Sequence, residues 1–436
     1  MNEILTAREK RQELRKGTGF STITFNLNIP GYPKKTELIE RAFNLVSKEI
    51  KEYLSFYIKA KSVANMQDEA GFYLNVKTAE KDLKSIKKLV AAFEKVHPIG
   101  RLIDIDVYAS NGERISSENS KECLLCSSSV WQCIKEGKHS QEELRAKVDE
   151  LLVMYVSSET SDVLAWQAVK SLIVEVGLGP KPGLVSLKDN GPHKDMNHSL
   201  FIDSAAVLFE GYKEMADLAE DEEFEPELVF QKMRKIGLKM ETEMLVATGG
   251  VNTHKGAIFL IGLLVTASAR VFKETRTVEM GFISELVREM TQGVVQELKE
   301  ELGTHGCSIF QEHGFKGARG EAESGMDRVF DVGFPALAAN IDFGLTKNEA
   351  ALASLVSIIS ENDDTNLVFR GGIEKLETVK MAASNIIDMG FWNEDSLMTY
   401  QELCDYCLEN NLSCGGSADI LACSLFVFFI SNYKFY

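Results

Sequence analysis

Two aspartates stand two apart in the segment RLIDIDVY, residues 101–108: Asp104 and Asp106. In an extended strand side chains alternate between faces, so both carboxylates look the same way. Acids held that close repel unless a cation stands between them, and Mg²⁺ shared with substrate phosphates is a common answer. Arg101, just upstream in HPIGR, offers a guanidinium fork that matches phosphate oxygens. A plain strand with two solvated acids has the same sequence. Farther on, Cys123, Cys126, Cys133 and His139 are soft ligands at a spacing that could hold zinc, although a partial site of this kind is often just buried thiols.

Beyond residue 160, five polar segments interrupt helical stretches. Residues 175–196 carry Lys181, His193, Lys194 and Asp195, stiffened by Pro180 and Pro182. Residues 248–259 carry Asn252, His254 and Lys255 ahead of an apolar run, where a phosphate would meet both a lysine and a helix N-terminus. Residues 314–325 carry Arg319 and Glu321, and residues 362–372 carry Asp363, Asp364, Asn366 and Arg370. Residues 411–420 carry Ser417 and Asp419. Singly, each has a plainer explanation: a glycine C-cap, a satisfied core histidine at His254, an N-cap at Asp363-Asp364. None matches the phosphate loop G-x-x-x-x-G-K-[ST]. Recurrence is the signal, because cations, acids and glycines return at five interhelical places, as a polyphosphate ligand with a bridging metal requires.

The elements that must position these groups fall into two sets. Residues 22–29 alternate as a strand, with Ile23, Phe25, Leu27 and Ile29 on one face. Helical spacing follows over 36–60 and again over 80–96, the latter with Leu83, Ile86, Leu89, Val90 and Phe93 inward and lysines outward. Residues 72–76 and 102–108 read as further strands, the last closed by the turn at 110–112. Ser140 and Glu143 form a capping box for a helix over 140–157, and a linker is expected over 157–162. From there helical runs dominate: 162–176, 199–219, 226–246, 255–272, 280–302, 335–341, 347–361, 373–388, 395–410 and 417–431. The expected fold is multi-domain: an α+β unit over 1–157 followed by an all-α unit over 162–436.

The chain's 436 residues are 44% hydrophobic and 26% charged, which excludes disorder and coiled coil as whole-chain descriptions. A net charge of −17 argues against coating nucleic acid. Residues 1–157 hold 25 basic and 22 acidic residues, the remainder 23 and 43, so two units with different partners are expected. The apolar runs 256–269 and 420–430 fall short of the ~20 residues of a membrane span and read as buried helices. The opening 16 residues are charged and lack a secretory core, and eight cysteines are too few for a disulfide scaffold. A cytoplasmic address is the expectation, with no nucleic-acid or membrane partner.

In the first unit, HPIGRLIDIDVYASNGERIS followed by CLLCSSSVWQCIKEGKH resembles the apo-citrate lyase phosphoribosyl-dephospho-CoA transferases. LTAREKRQELRK and NLNIPGYPK fit the same family, so the likeness covers about residues 1–155. It implies a nucleotidyltransferase-like domain that attaches the phosphoribosyl-dephospho-CoA group to a serine of the citrate lyase acyl-carrier subunit and releases pyrophosphate. Asp104 and Asp106 become catalytic Mg²⁺ ligands by that likeness, and Arg101 a phosphate clamp. Ser116-Ser117 departs from the Ser-Arg pair expected after the turn, leaving Arg114 or Lys121 to supply the contact.

In the second unit, PKPGLV, NGPHKDM, GGVNTHKGAIF, GARGEAESG, DTNLVFRGG and NLSCGGSAD occur in order over about residues 162–431. Together they resemble the triphosphoribosyl-dephospho-CoA synthases, with Cys414 standing where a proline is expected. Such enzymes take ATP and 3'-dephospho-CoA, release adenine, and join the triphosphoribosyl group to the 2'-hydroxyl. For that chemistry Lys181, Lys194, Lys255, Arg319 and Arg370 are expected to hold phosphates, with Asn252, His254, Asn366 and Ser417 also binding the nucleotide. Asp195, Asp364 and Asp419 are the metal candidates, and His193, Glu321 and Asp364 the catalytic ones. Product of the second unit is substrate of the first, so the chain reads as a bifunctional transferase. Two other readings stay open: one active half, or a nucleotide- or CoA-binding regulator that forms no adenine.

Overall fold

The structure, a computed structural model, describes residues 2–16, 19–116, 122–126, 128–221, 223–300, 305–433 and 435. Ser117 and Lys121 lie outside them. The chain forms two compact units, Met1–Glu159 and Thr160–Lys434.

In chain order the first unit contains α1 (Asn2–Arg15), β1 (Ser21–Leu27), α2 (Glu37–Ser55), β2 (Ala60–Asp68), β3 (Gly71–Thr78) and α3 (Leu83–Val96). Then come β4 (Ile103–Tyr108), β5 (Arg114–Ile115), α4 (Val130–Glu136) and the start of α5 (Gln141–Gly177). The five strands form one antiparallel sheet in the order β2-β3-β1-β4-β5. This matches the α+β expectation and adds β2, whose residues are almost all exposed. With no apolar alternation, β2 gives no strand signal; its pairing to β3 makes it one.

One face of the sheet is apolar. Ile23 and Phe25 of β1 stand opposite Val107 and Ile105 of β4, all buried under α2 and α3. Helix α2 starts where the Thr36 hydroxyl accepts the Ile39 N–H, and it buries Ile39, Ala42, Phe43, Val46, Ile50 and Leu54. Helix α3 is capped by Asp82. Its lysines do not all point outward: Lys87 is buried and donates to the Ile105 carbonyl at 2.6 Å, while Glu94 accepts the Ile105 N–H at 2.6 Å. Two α3 side chains thereby take both backbone groups of the residue between Asp104 and Asp106, fixing β4 in place.

The expected capping box is present, with Ser140 and Glu143 each accepting the other's N–H. Where a linker was expected over 157–162, α5 runs on as helix to Gly177.

From residue 160 on, no strand occurs among the described residues, as the all-α expectation holds. After α5 the helices are α6 (His198–Ala206), α7 (Phe209–Asp217), α8 (Pro226–Ala247), α9 (Lys255–Thr275), α10 (Met280–Met290) and α11 (Glu297–Glu300). They continue with α12 (His305–His313), α13 (Gly317–Glu323), a π-helical turn (Arg328–Gly333), α14 (Phe334–Phe343), α15 (Lys347–Glu361), α16 (Thr365–Met389), α17 (Glu394–Glu409) and α18 (Gly415–Ser431). Helix α9 is the hub, packed against α7, α8, α10 and α18. It has 21 residues, long and apolar enough to cross a membrane although its apolar run alone is shorter, and most of it is buried inside the unit. Two expectations fail locally. The run 280–302 breaks after Met290, and residues 317–323 and 365–371 are helical rather than loop, with α16 kinked at Gly372.

Candidate functional site

In the first unit the second face of the sheet is polar. Asp104 pairs in register with Asn26 and Asp106 with Thr24, so both acids share that face. Helix α1 lies over it: the Arg11 guanidinium stacks 3.9 Å from the Tyr73 ring centre, and that of Arg15 4.1 Å from the Tyr108 ring centre. Between helix and sheet is a cavity of about 280 Å³ whose lining includes Arg8, Arg15, Lys34, Asp104, Asp106 and Tyr108. Arg11 is fixed by Asp68, at 2.7 Å, and by the Gly71 carbonyl at 2.9 Å. Asp106 accepts from Arg114 at 2.6 Å and from the Tyr108 hydroxyl at 3.1 Å. Burial, and then the Asp106 charge, raise the Tyr108 phenol. Burial and then the neighbouring Arg8 lower the Lys34 ammonium, so the cavity already crowds like charges.

Arg101 is not among the residues lining this cavity; the cations there are Arg8, Arg11, Arg15 and Lys34. Sequence reading passed over them because a charged opening segment has no face until it is a helix. The spacing 8, 11, 15 is the signal that could have found them.

In the second unit the five polar segments meet, with 411–420 at the centre. Gly183, at φ +63°, closes on the Leu412 carbonyl, where a Cβ would lie 2.2 Å from the oxygen. His193 stands 3.2 Å from the Ser413 hydroxyl and accepts from Arg370 at 3.3 Å, while Arg370 also donates to the Asn411 carbonyl. Arg370 therefore fixes the proton of neutral His193 on Nε2. Burial, then Arg370, lower the His193 imidazole and favour that neutral form.

Asp364 is buried at 2% exposure. One oxygen accepts the Asn366 and Leu367 N–H groups at the start of α16; the other accepts the Ser417 N–H and hydroxyl on α18. Burial raises its carboxyl against these bonds. Asp419, on α18, accepts the Ala257 N–H in the first turn of α9, and Gly256 makes this possible: a Cβ there would lie 2.0 Å from the Asp419 Oδ2. Burial, then Glu175 and Asp364, push Asp419 well above the usual carboxylate range. One first-turn donor of α9, the Ala257 N–H, is thus already taken by a carboxylate, as are N–H groups at the starts of α16 and α18.

The other candidates divide. Lys181 is buried and bound to Glu175 through both its carboxylate and, at 2.8 Å, its carbonyl; burial lowers its ammonium. Glu175 is the acid sequence reading missed. Next to Lys181, His254 is buried with Nδ1 2.7 Å from the Ser204 hydroxyl, which itself accepts from Thr253. The His254 Nε2 is buried without a hydrogen-bond partner. Burial, then Lys181, push His254 down to about 3. Glu321 accepts the Arg328 and Val329 N–H groups of the π-helical turn at 2.9 and 3.2 Å, and burial raises it. Glu321 and Asp419 both act on the buried Cys423 thiol, which joins the third segment to the others. Lys255 pairs with Glu241 at 2.9 Å, and Arg319 with Glu297 at 3.9 Å. Lys194, Asp195, Asn252 and Asn366 are exposed, and Asn252 accepts the Lys255 N–H. Ser417 is buried between Asp364 and Asn362. A groove of about 460 Å³ beside Arg270 and Glu285 carries none of these residues.

Comparison with known proteins bears on both units. Residues 1–155 match the family described as apo-citrate lyase phosphoribosyl-dephospho-CoA transferase, and residues 161–434 the family described as ATP:dephospho-CoA triphosphoribosyl transferase. The chain is similar to Protein CitXG of Haemophilus influenzae, 31% identical over 99% of this chain and 96% of that protein. It is likewise similar to Protein CitXG of Leuconostoc mesenteroides subsp. cremoris, 30% identical over 98% and 96%. To the 2-(5''-triphosphoribosyl)-3'-dephosphocoenzyme-A synthase of Haemophilus ducreyi it is 36% identical, over 70% of this chain and 99% of the other. A transferase unit of each kind, matched in order along one polypeptide, makes this chain a member of the fused family of transferases that serve the citrate lyase prosthetic group.

Proposed function

We propose that the second unit makes 2'-(5''-triphosphoribosyl)-3'-dephospho-CoA from ATP and 3'-dephospho-CoA, releasing adenine. The first unit, nucleotidyltransferase-like, then transfers the phosphoribosyl-dephospho-CoA group to a serine of the citrate lyase acyl-carrier subunit, releasing pyrophosphate. The observation that carries this reading is the match of one transferase family to each unit, nearly end to end.

In the second unit, breaking the bond between the ribosyl anomeric carbon and adenine develops positive charge on the sugar, and a nearby carboxylate lowers that barrier. Asp419, raised by burial and then by Glu175 and Asp364, favours the protonated form that can hand a proton to departing adenine. His193, held neutral, becomes the base for the 2'-hydroxyl proton once Arg370 turns to phosphate and frees the Nδ1 lone pair. Asp364 does not suit a metal ion, because both of its oxygens already take backbone N–H groups.

In the first unit, Asp104 and Asp106 do suit Mg²⁺, sharing a face in a cavity ringed by arginines. Such an ion supplies charge neutralisation at the phosphate under attack. Arg8, Arg15 and Lys34 hold the triphosphate, and Arg114, 59% exposed, is placed to exchange Asp106 for a phosphate oxygen. An acidic carrier would meet less repulsion from the near-neutral unit than from the acidic one.

The deciding experiment incubates the protein with ATP, Mg²⁺ and 3'-dephospho-CoA and looks for free adenine by chromatography, then adds the apo-carrier and reads its mass. Tight ATP binding without adenine would leave a regulator; adenine without a carrier mass shift would leave one active half.

A further inference from the structure

Cys123, Cys126, Cys133 and His139 were set aside by the chemistry above, yet the fold brings them to one point. Their four ligand atoms all lie within 4.8 Å of one another. The Cys126 and Cys133 sulfurs are 3.4 Å apart, and the His139 Nε2 is 3.4 Å from the Cys126 sulfur. A tetrahedral ion with sulfur ligands at ~2.3 Å has ligand–ligand edges of ~3.8 Å, so little movement closes the shell.

The pieces that deliver the ligands are short and fixed. Cys123 and Cys126 sit on a turn closed by the Cys123 N–H to the Ser128 carbonyl at 2.7 Å and by an isolated bridge between Glu122 and Ser129. Inside it the Leu125 N–H points at the Cys123 sulfur, 3.5 Å away, as a metal-bound thiolate needs from its second shell. Leu124, between the two cysteines, packs on the core of the first unit. Ser129 caps α4, which presents Cys133 inward, and His139 is the third residue beyond the helix. Lys138 lies beside the cluster, held by Ser128 and Glu136, and offsets the negative charge of three thiolates.

A disulfide does not account for this arrangement. A bonded pair would have its sulfurs ~2.0 Å apart, would leave the third cysteine unused, and would give the histidine nothing to do. Three thiols and an imidazole converging from a tight turn, a helix and the short segment after it fill four positions and leave none open for water, which marks a structural rather than a catalytic site.

We propose that Cys123, Cys126, Cys133 and His139 bind one zinc ion that ties the segment after β5 to the core of the first unit. The proposal stands apart from the reading of either reaction, because its first readout is metal.

The full chain, expressed in zinc-supplemented medium and purified without chelator, is analysed by inductively coupled plasma mass spectrometry. One zinc per chain is expected, and Cys126→Ala and Cys133→Ala should each lower it at least about tenfold. Because those variants can misfold, wild type is also reconstituted with Co²⁺. Intense visible absorption of tetrahedral cobalt–thiolate coordination is expected; a weak octahedral spectrum overturns the proposal. So do zinc far below one per chain in wild type, zinc unchanged in a folded Cys126→Ala protein, or a Cys126–Cys133 disulfide in freshly purified protein.

Discussion

Asp364 accepts both the backbone N–H and the hydroxyl of Ser417, at 2.8 and 2.9 Å, while its other oxygen caps the helix that begins at Thr365. One buried carboxylate therefore joins the N-termini of α16 and α18. Asp364→Asn replaces an acceptor by an amide that must point donors at donors. We expect it to lower stability by about 1–3 kcal/mol in urea melts, more than Ser417→Ala, which keeps the backbone bond and loses only the hydroxyl's bonds to Asp364 and Asn362. An Asp364→Asn protein as stable as wild type would show that Asp364 does not bridge the helices.

Gly256 and Asp419 make the second test. A methyl group at 256 would overlap the Asp419 carboxylate, so Gly256→Ala should displace that side chain from α9. Adenine release should fall by about two orders of magnitude if Asp419 supplies the proton. Gly256→Ala combined with Asp419→Gly removes the clash and should recover the thermal midpoint but not the activity. Recovery of both would exclude Asp419 from the chemistry.

These relationships explain what was legible in the sequence. Asp104 and Asp106 were readable because strand alternation is a local rule, and Ser140 with Glu143 because a capping box spans four residues. The common neighbourhood of the five polar segments in the second unit was foreshadowed only by their recurrence. Which groups face one another was not readable: Asp419 meets Ala257 and Glu175 meets Lys181 through chain reversals that leave no spacing signature. Strand β2 was hidden because its partner, not its own pattern, makes it a strand. Helix α13 was hidden because glycines at 317 and 320 read as loop.

His254 gives a pH signature. In the unfolded chain its imidazole takes up a proton below about 6.5; in the folded chain burial and Lys181 postpone that to about 3. Between those values the unfolded state binds more protons, so stability falls as pH falls, by about 1.4 kcal/mol per pH unit from this group alone. Urea denaturation of wild type and His254→Asn at pH 7, 6 and 5 isolates it, since other titrations cancel in the difference. The wild-type advantage should shrink steadily on acidification; a constant difference would mean that His254 is not buried neutral.

The first unit separates charge from chemistry. Asp104 and Asp106 share a polar sheet face under α1, whose Arg8 and Arg15 reach the same cavity. Asp104→Asn with Asp106→Asn should reduce carrier loading at least about 100-fold, as loss of a phosphate-bound metal does. Adenine release should stay near wild type, because that chemistry belongs to residues of the other unit. Arg15→Ala should act differently: it removes one cation and its stacking on Tyr108, so loading should drop about tenfold at low salt and depend less steeply on ionic strength than in wild type. Loading measured by carrier mass across a salt series distinguishes the two. If Arg15→Ala leaves both the rate and the salt dependence unchanged, the triphosphate does not lie beneath α1.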